Sequence, residues 1–501
     1  MLKKIRIILS LIIFTLISLY FLDFAGWMPD WFHHLAEIQF VPALLALNVV
    51  VLISLILLTI VFGRIYCSAI CPLGIYQDIV SRISRLTKKK KRFKYLKPLT
   101  FLRWSVVGCV LIAFVFGFTF LLGLLDPYST FGRMTTHVFR PVYMAGNNLL
   151  ATIFTSFGNH NFYKVSIYVA SVSSLIIALI TMLIVGYLAW TNGRIYCNTI
   201  CPVGTILGFF SRFSVFKIHI DENKCNSCGA CGRSCKASCI DTKNHKIDYS
   251  RCVDCFDCLD VCSQNALNFD FRPVASKDKN IDASKRRFMT AVGVTGLAAS
   301  QVFADGKLLN IVKNEAKRKT PIAPPGAQSA EHLLSKCTSC HLCVSKCPSN
   351  VIKPAFMEYG IGGIMQPTLI FEHGFCNYDC TVCSDVCPSD ALKPLTVEQK
   401  HHNQMGQVRF TLENCIVHTD GTSCGACSEH CPTQAVHMVP YKDGLTIPHT
   451  DVSICVGCGG CEYVCPAKPY KAIYVEGVDK HVRVEIKKEQ KQEIEVDDFG
   501  F

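Results

Sequence analysis

Thirty cysteines in 501 residues carry most of the chemistry open to this chain. Cys225, Cys228, Cys231 and Cys235 follow the pattern C-x2-C-x2-C-x3-C, and so do Cys252, Cys255, Cys258 and Cys262. The pattern returns at Cys337, Cys340, Cys343 and Cys347 and at Cys455, Cys458, Cys461 and Cys465. Cys376, Cys380, Cys383 and Cys387 have one extra residue in the first gap, and Cys415, Cys424, Cys427 and Cys431 have a longer insertion there. Proline follows the fourth cysteine in the last four runs, whereas Lys236 and Ser263 stand there in the first two. Such a run gives three thiolates to one [4Fe–4S] cluster and its fourth to a neighbouring cluster, because a short loop wraps only three corners of a cubane. Six clusters are therefore expected, the first two exchanging their fourth ligands; spacing leaves the pairing of the other four open. Zinc is the rival metal, but it favours pairs of C-x2-C over triplets ending in Cys-Pro. Length and long apolar runs exclude a small disulfide scaffold.

Six cysteines stand outside these runs. Gly63-Arg64-Ile65-Tyr66-Cys67 to Cys71-Pro72 recurs as Gly193-Arg194-Ile195-Tyr196-Cys197 to Cys201-Pro202. Cysteines at i and i+4 share one face of a helical turn, so two such turns could offer four thiolates to a further metal centre or simply pack as reduced thiols. Cys109 reads as a small core residue, and Cys239 is left over beside the first run. Cys337 to His341 also spells the C-x-x-C-H of a haem attachment site. Cys343 and Cys347 complete a cluster run around it, so His341 reads as incidental. No G-x-G-x-x-G opens a strand-to-helix turn, which excludes a nucleotide or flavin fingerprint.

The elements that must position these groups begin with four apolar runs, Ile7–Leu22, Phe40–Phe62, Trp104–Leu125 and Val165–Trp190, expected as transmembrane helices. The loop Gly63–Arg103 holds eleven Lys and Arg, including Lys88 to Arg92; Asp23–Gln39 holds none and Asp126–Lys164 three. The positive-inside rule then places the N-terminus, that loop and the exit of the fourth span on the cytoplasmic side. The net charge of +13 is concentrated at these loops and counts every thiol as neutral, so it does not argue for nucleic acid. Ser284-Lys285-Arg286-Arg287-Phe288-Met289 and the weakly apolar run Ala291–Ala304 look like an internal twin-arginine export signal, with Lys285 at the place of the first arginine of the motif. The run is expected either to remain as a fifth span or to be cleaved after Ala304, Val302 and Ala304 suiting a signal peptidase. Lys313–Gln328 reads as a linker.

The expected division is a four-helix transmembrane domain (1–215), a two-cluster domain (216–275), the signal and linker (276–330), a four-cluster domain (331–480) and a charged tail (481–501). The fold class is an α-helical membrane domain plus two α+β ferredoxin-like [4Fe–4S] domains.

With these motifs in place, residues 1 to about 275 resemble the NapH-type membrane ferredoxins, which share their C-x3-C-P membrane half with NosR-type and CcoG-type proteins. Residues from about 284 to 480 resemble the NapG/MauM-type four-cluster ferredoxin, so the chain looks like a NapH–NapG fusion. The resemblance implies a quinol-oxidising electron-transfer module of the bacterial inner membrane. Its partners would be the quinone pool, a periplasmic reductase or c-type cytochrome, and the twin-arginine translocase. It also implies the first two clusters in the cytoplasm and the four-cluster domain in the periplasm. The NosR and CcoG likeness implies an alternative, copper handling or maturation at Cys67, Cys71, Cys197 and Cys201. A cytoplasmic-facing electron wire is the third reading. Asp126, Arg133 and His137, just beyond the third span, are candidates for a quinol site, since quinol oxidation releases two protons. The competing reading makes Asp126 a cap and Arg133 a headgroup anchor.

Overall fold

Helices form along most of the apolar runs of the first half, as the computed structural model shows, although residues 165–171 of the fourth run stay outside the helix. The structure describes residues 1–87, 93–158, 160–271 and 318–485. Lys88–Arg92, the twin-arginine-like segment with Ala291–Ala304, and the end of the charged tail lie outside the described residues.

Helix α1 (Leu2–Leu22) and the later Val172–Asn192 are each 21 residues, and they are the two described helices long and apolar enough by themselves to cross a membrane. The second expected span is instead α2 (Phe40–Leu45) and α3 (Val49–Phe62), parted at Leu47, whose φ of 56° lies in the left-handed region. The Asn48 side chain accepts from the Val51 amide and restarts the helix. After α4 (Ile65–Ala69) and α5 (Pro72–Thr87), the third expected span is likewise divided, into α6 (Thr100–Val115) and α7 (Thr119–Leu125), at left-handed Gly117. Both breaks correct the reading of continuous spans, because Leu47 and Phe116–Phe118 are apolar enough to hide a turn from hydropathy.

The loop after α7 is helical too. Asp126 caps α8 (Pro127–Met134), a π-helical turn covers Thr135–Phe139, and α9 runs from Arg140 to Ser156. The remaining helices are α10 (Val172–Asn192), α11 (Ile195–Thr199) and α12 (Pro202–Phe210). Helix α10 packs on α5 and α8, and α1 on α4 and α5. Large apolar side chains remain exposed along the outer faces, among them Ile8 and Ile12 of α1, Ile53 and Leu57 of α3, Leu111 of α6 and Ile180 and Leu183 of α10. Cys109 is exposed on α6, a correction to its reading as a core residue.

Two ferredoxin-type units follow. The first closes with β1 (Phe216–Ile220) antiparallel to β2 (Leu267–Phe271), Phe216 opposite Phe271 and Ile220 opposite Leu267. Its apolar core is continuous with that of the helices. In the second, β3 (Ile352–Pro354) pairs with β4 (Pro367–Leu369), and β5 (Asn403–Phe410) with the last strand, Ile473–Arg483, across a bulge. Val436–Pro440 and Thr446–Thr450 form a hairpin. This unit has a core of its own, centred on Leu333, Val351, Val408 and Ile473.

Candidate metal centres

Folding brings the cysteines together across the runs. Cys225, Cys228 and Cys231 share a cavity with Cys262, while Cys252, Cys255 and Cys258 share one with Cys235 and Cys239. Cys376, Cys380 and Cys383 meet Cys347, and Cys415, Cys424 and Cys427 meet Cys465. Cys343 lies within electrostatic reach of Cys337, Cys340 and Cys387, and Cys461 of Cys455, Cys458 and Cys431. The first run is thus paired with the second, as expected, and the pairing left open by spacing is third with fourth and fifth with sixth. Every group mixes three cysteines of one run with the last of its partner.

The four regular loops share one backbone device. The residues just before and just after the middle cysteine are left-handed: Ser227 and Gly229, Asp254 and Phe256, Ser339 and His341, Gly457 and Gly459. Two such flips fold a short loop around a rounded body. For Phe256 and His341 that backbone is strained, and the surroundings must hold it.

Spacing between the thiols bears on the metal. Among the described residues, His33, His34 and Glu37 are the one group of three or more His, Cys, Asp or Glu whose ligand atoms all lie within 4.8 Å. A single zinc ion at about 2.3 Å from each sulfur would draw its thiolates to roughly 3.8 Å apart. The cysteine groups are more open than that, as a multi-iron cluster requires. Burial pushes the Cys340, Cys427 and Cys458 thiols up to about 12, so without metal they are neutral at pH 7. Loading a cluster on these loops must therefore release protons.

Cys239 lies 3.6 Å from Cys235, sulfur to sulfur, as a fifth thiol at the second group. Cys67, Cys71, Cys197 and Cys201 are all buried in one core, and Cys201 lies within electrostatic reach of the other three.

The two units engage opposite ends of α1. Lys3, at its start, pairs with Asp257 and Asp260 of the first unit at 3.2 and 2.9 Å. Just past its end, Asp23 pairs with Lys346 of the second unit at 2.7 Å. Loops follow the same division. The Phe93 amide bonds to Arg233, and the Leu96 amide to Ser238. The carbonyl of Thr338 presses on Gly123, and that of Cys340 on Gly132.

The structure also places the three residues expected near the third span. The Asp126 carboxylate accepts from the Ser129 amide at 2.8 Å and hydroxyl at 2.7 Å, capping α8. Burial raises it to about 6 against those hydrogen bonds and Arg133. Arg133 donates to the carbonyls of Gly123 and Leu124 and, at 3.1 Å, to that of Ser339 in the third cysteine loop. His137, in the π turn, meets His341 ring to ring, Nε2 to Nδ1 at 2.6 Å, and His341 Nε2 donates to the Met365 carbonyl at 2.8 Å. A carbonyl only accepts, so His341 carries its proton on Nε2 and His137 donates through its own Nε2, leaving the His137 Nδ1 lone pair free of that pair. Burial, then Arg133, lowers His137 to about 4; burial, then His137 and Arg133, hold His341 well below the ordinary imidazole value. His341, read from sequence as incidental, is thus the contact between a cysteine loop and the bundle. Its only sequence signal was a bulky residue at a position that Gly229 and Gly459 fill elsewhere.

Comparison with known proteins agrees with these centres. A family described as a 4Fe-4S binding domain matches residues 44–94 and 173–221, around both C-x3-C-P repeats. Families described as 4Fe-4S dicluster domains match residues 248–351 and 420–468. The first dicluster match joins the second and third runs, neighbours in sequence that belong to different pairs in space. No solved structure matches. The fold and the cysteine groups define an iron–sulfur, ferredoxin-type electron-transfer protein holding several [4Fe–4S] clusters. Among its relatives, an uncharacterized protein of Methanocaldococcus jannaschii, MJ0749, is 26% identical over 44% of this chain and 70% of its own length. The Escherichia coli K12 ferredoxin-type proteins NapF and NapG are 26% and 29% identical, over 32% and 36% of this chain and 88% and 80% of their own lengths.

Proposed function

We propose that the chain is a membrane-bound quinol dehydrogenase module with a NapH–NapG-like arrangement and six [4Fe–4S] clusters. In this reading the helices up to residue 215 span the bacterial inner membrane, with residues 216–275 on the cytoplasmic face. The unit of residues 331–480, exported by the twin-arginine route, lies on the periplasmic face. The observation that carries it is α1: 21 residues, about 30 Å of helix, uncharged from Ile7 to its end, with a different ferredoxin-type unit salt-bridged at each end. Apolar side chains exposed along α1, α3 and α10 support a lipid surroundings, since an aqueous surface this apolar is rare.

A narrow cleft between bundle and second unit is the candidate quinol site. Thr136, His137, Arg140 and Tyr168 line it from the bundle side, and Val344, Asn350 and Ile352 from the other. Quinol gives up two electrons and two protons. The clusters, when bound, take electrons one at a time. His137 Nδ1 is the available base: depressed to about 4, it stays neutral at pH 7 and accepts a proton as electron loss turns the quinol into a far stronger acid. Asp126 and Arg133 hold α7, α8 and the Ser339 loop in place around it. The electrons would pass to a periplasmic reductase or c-type cytochrome.

The test is anaerobic reduction of the purified chain by a quinol analogue, followed at the cluster absorption band. Wild type should be reduced, and His137→Ala should slow that step about 100-fold while dithionite still reduces every cluster. Equal rates remove His137, and no reduction of wild type sinks the quinol reading. A second reading, metal handling, has the His33, His34 and Glu37 group in its favour; copper retained through purification would support it.

A further inference from the structure

The two C-x3-C-P repeats are built into each other. Arg64, of the first repeat, donates to Asn198 Oδ1 at 2.8 Å and to the Cys197 carbonyl at 3.3 Å, both in the second repeat. Arg194, of the second repeat, donates to the Cys67 carbonyl of the first. A Cβ on Gly74 would collide with the Arg194 guanidinium and the Cys67 carbonyl, and one on Gly204 with Arg64 and the Cys197 carbonyl. The C-P-x-G ending of each repeat is thus the space its counterpart's arginine needs. Thiols and guanidinium groups meet here too: Arg64 Nη2 lies 3.7 Å from Cys67 Sγ, and Gln77 donates to Cys197 Sγ at 3.2 Å.

Both arginines are fully buried, yet Arg64 Nε and Arg194 Nη2 have no hydrogen-bond partner. Buried guanidinium donors left over beside four thiols fit a group of net negative charge rich in sulfur acceptors. A [4Fe–4S] core with four thiolates is such a group.

The position of this site within the molecule matters as much. On one side the Arg64 amide donates to Asp254 at 2.8 Å and the Arg194 amide to the Lys236 carbonyl at 2.8 Å. Asp254 sits between Cys252 and Cys255, and Lys236 follows Cys235, so both belong to one cluster loop pair. On the other side the Tyr196 hydroxyl donates to the Leu125 carbonyl at 3.1 Å. The neighbouring Leu124 carbonyl accepts from Arg133, which bonds Ser339 in the loop of Cys337, Cys340 and Cys343.

We propose that Cys67, Cys71, Cys197 and Cys201 hold a seventh iron–sulfur cluster, and that it joins the two ferredoxin-type units into one electron route through the helix bundle. The proposal rests on the reading that both units carry clusters and the bundle spans a bilayer; it does not rest on quinol. Tunnelling falls off exponentially with distance, so a stop between the two units turns one long hop into two shorter ones. Each passage takes one electron from the reduced cluster at Cys235, Cys252, Cys255 and Cys258, reduces the central site by one, and delivers that electron to the cluster of Cys337, Cys340, Cys343 and Cys387. No bond or proton changes hands. One-electron carriers at the two faces supply and remove the electron. Arg64 and Arg194 are positioning residues that balance the charge of the centre.

The experiment uses the full chain, purified anaerobically and set in liposomes free of quinone, with dithionite outside and ferricyanide trapped inside. Wild type should hold about 28 iron atoms, and Cys71→Ser/Cys201→Ser about 24, at four per cluster. The double variant should pass electrons to trapped ferricyanide at least an order of magnitude more slowly, while dithionite in detergent still reduces its other clusters. Arg64→Gln, which keeps every ligand, should retain the iron and lower the midpoint potential of one centre. Wild type with about 24 iron atoms in six filled clusters, copper in place of iron at the site, or iron lost with the transfer rate unchanged would each overturn the proposal. Absence of quinol oxidation leaves this assay untouched, so the two readings fail separately.

Discussion

The first ferredoxin-type unit is fixed to the helices by buried charge. Asp78 on α5 collects Arg6 of α1 at 3.1 Å, Arg194 at 2.7 Å and Lys236 of the unit itself at 2.8 Å. Burial pushes its carboxyl up, but Arg194, Lys236 and Arg6 outweigh that and hold it well below the usual range. Arg64 and Arg103 both donate to the Ser250 carbonyl. The second unit meets the helices through close backbone approach at Gly123 and Gly132, the neutral His137–His341 pair, Arg133 and the Asp23–Lys346 bridge. The first unit's core runs into the bundle's, whereas the second adds only Cys340, Leu342 and Val386 to that core and keeps most of its buried apolar residues in a core of its own. A part that completes most of its core by itself can dock already folded; a part whose core runs into the bundle must fold with it.

Asp78→Asn is the strongest way to break this comparison. It strands Arg194 and leaves Lys236 with Asp257 alone, and should cost about 3–5 kcal/mol. Thermal scans that follow cluster bleaching should show the first unit and bundle failing early, with the clusters of the second unit surviving to the parental temperature. Simultaneous loss of both would deny the second unit its independence.

Acid provides a gentler cut on the other interface. His137 is depressed to about 4 from an ordinary 6.5, so its contribution is present above pH 6.5 and disappears as pH falls through about 4. Up to about 3 kcal/mol rides on that proton. Limited proteolysis across pH 7 to 4 should free the second unit at the acid end, and His137→Asn should flatten the dependence. A release profile unchanged by that substitution would move the sensitivity elsewhere.

The smallest effect sharpens the first unit's chemistry. Cys239 stands beside Cys235, but the run spacing gives the ligand role to Cys235. Cys239→Ala should leave the iron content unchanged and shift one spectral feature slightly. Loss of about four iron atoms would make Cys239 the ligand.

Cysteine spacing made the cluster loops legible, because three thiolates around one cubane is a local problem of a few residues. Which run completes which is a contact between distant segments, as with Cys262 and Cys225, so it appears only in three dimensions. Apolar runs marked where helices lie, although α10 begins seven residues after the start of its run, at Val172. The turns at Leu47 and Gly117 were invisible to hydropathy, since a left-handed residue can be as apolar as the helix it ends. Asp126 shows the opposite case: a short polar side chain before Pro127 is an N-cap signal that local rules do read.

The shared fourth cysteine decides how oxidative injury would spread. When oxygen strips the cluster bound by Cys225, Cys228 and Cys231, it frees Cys262, whose own loop still carries the neighbouring centre. That loop loses one of its anchors, and the neighbour becomes easier to lose next. Damage should therefore travel within a pair and halt at its border, so that the ferredoxin-type sites wear out two at a time and repair must restore them in the same twos.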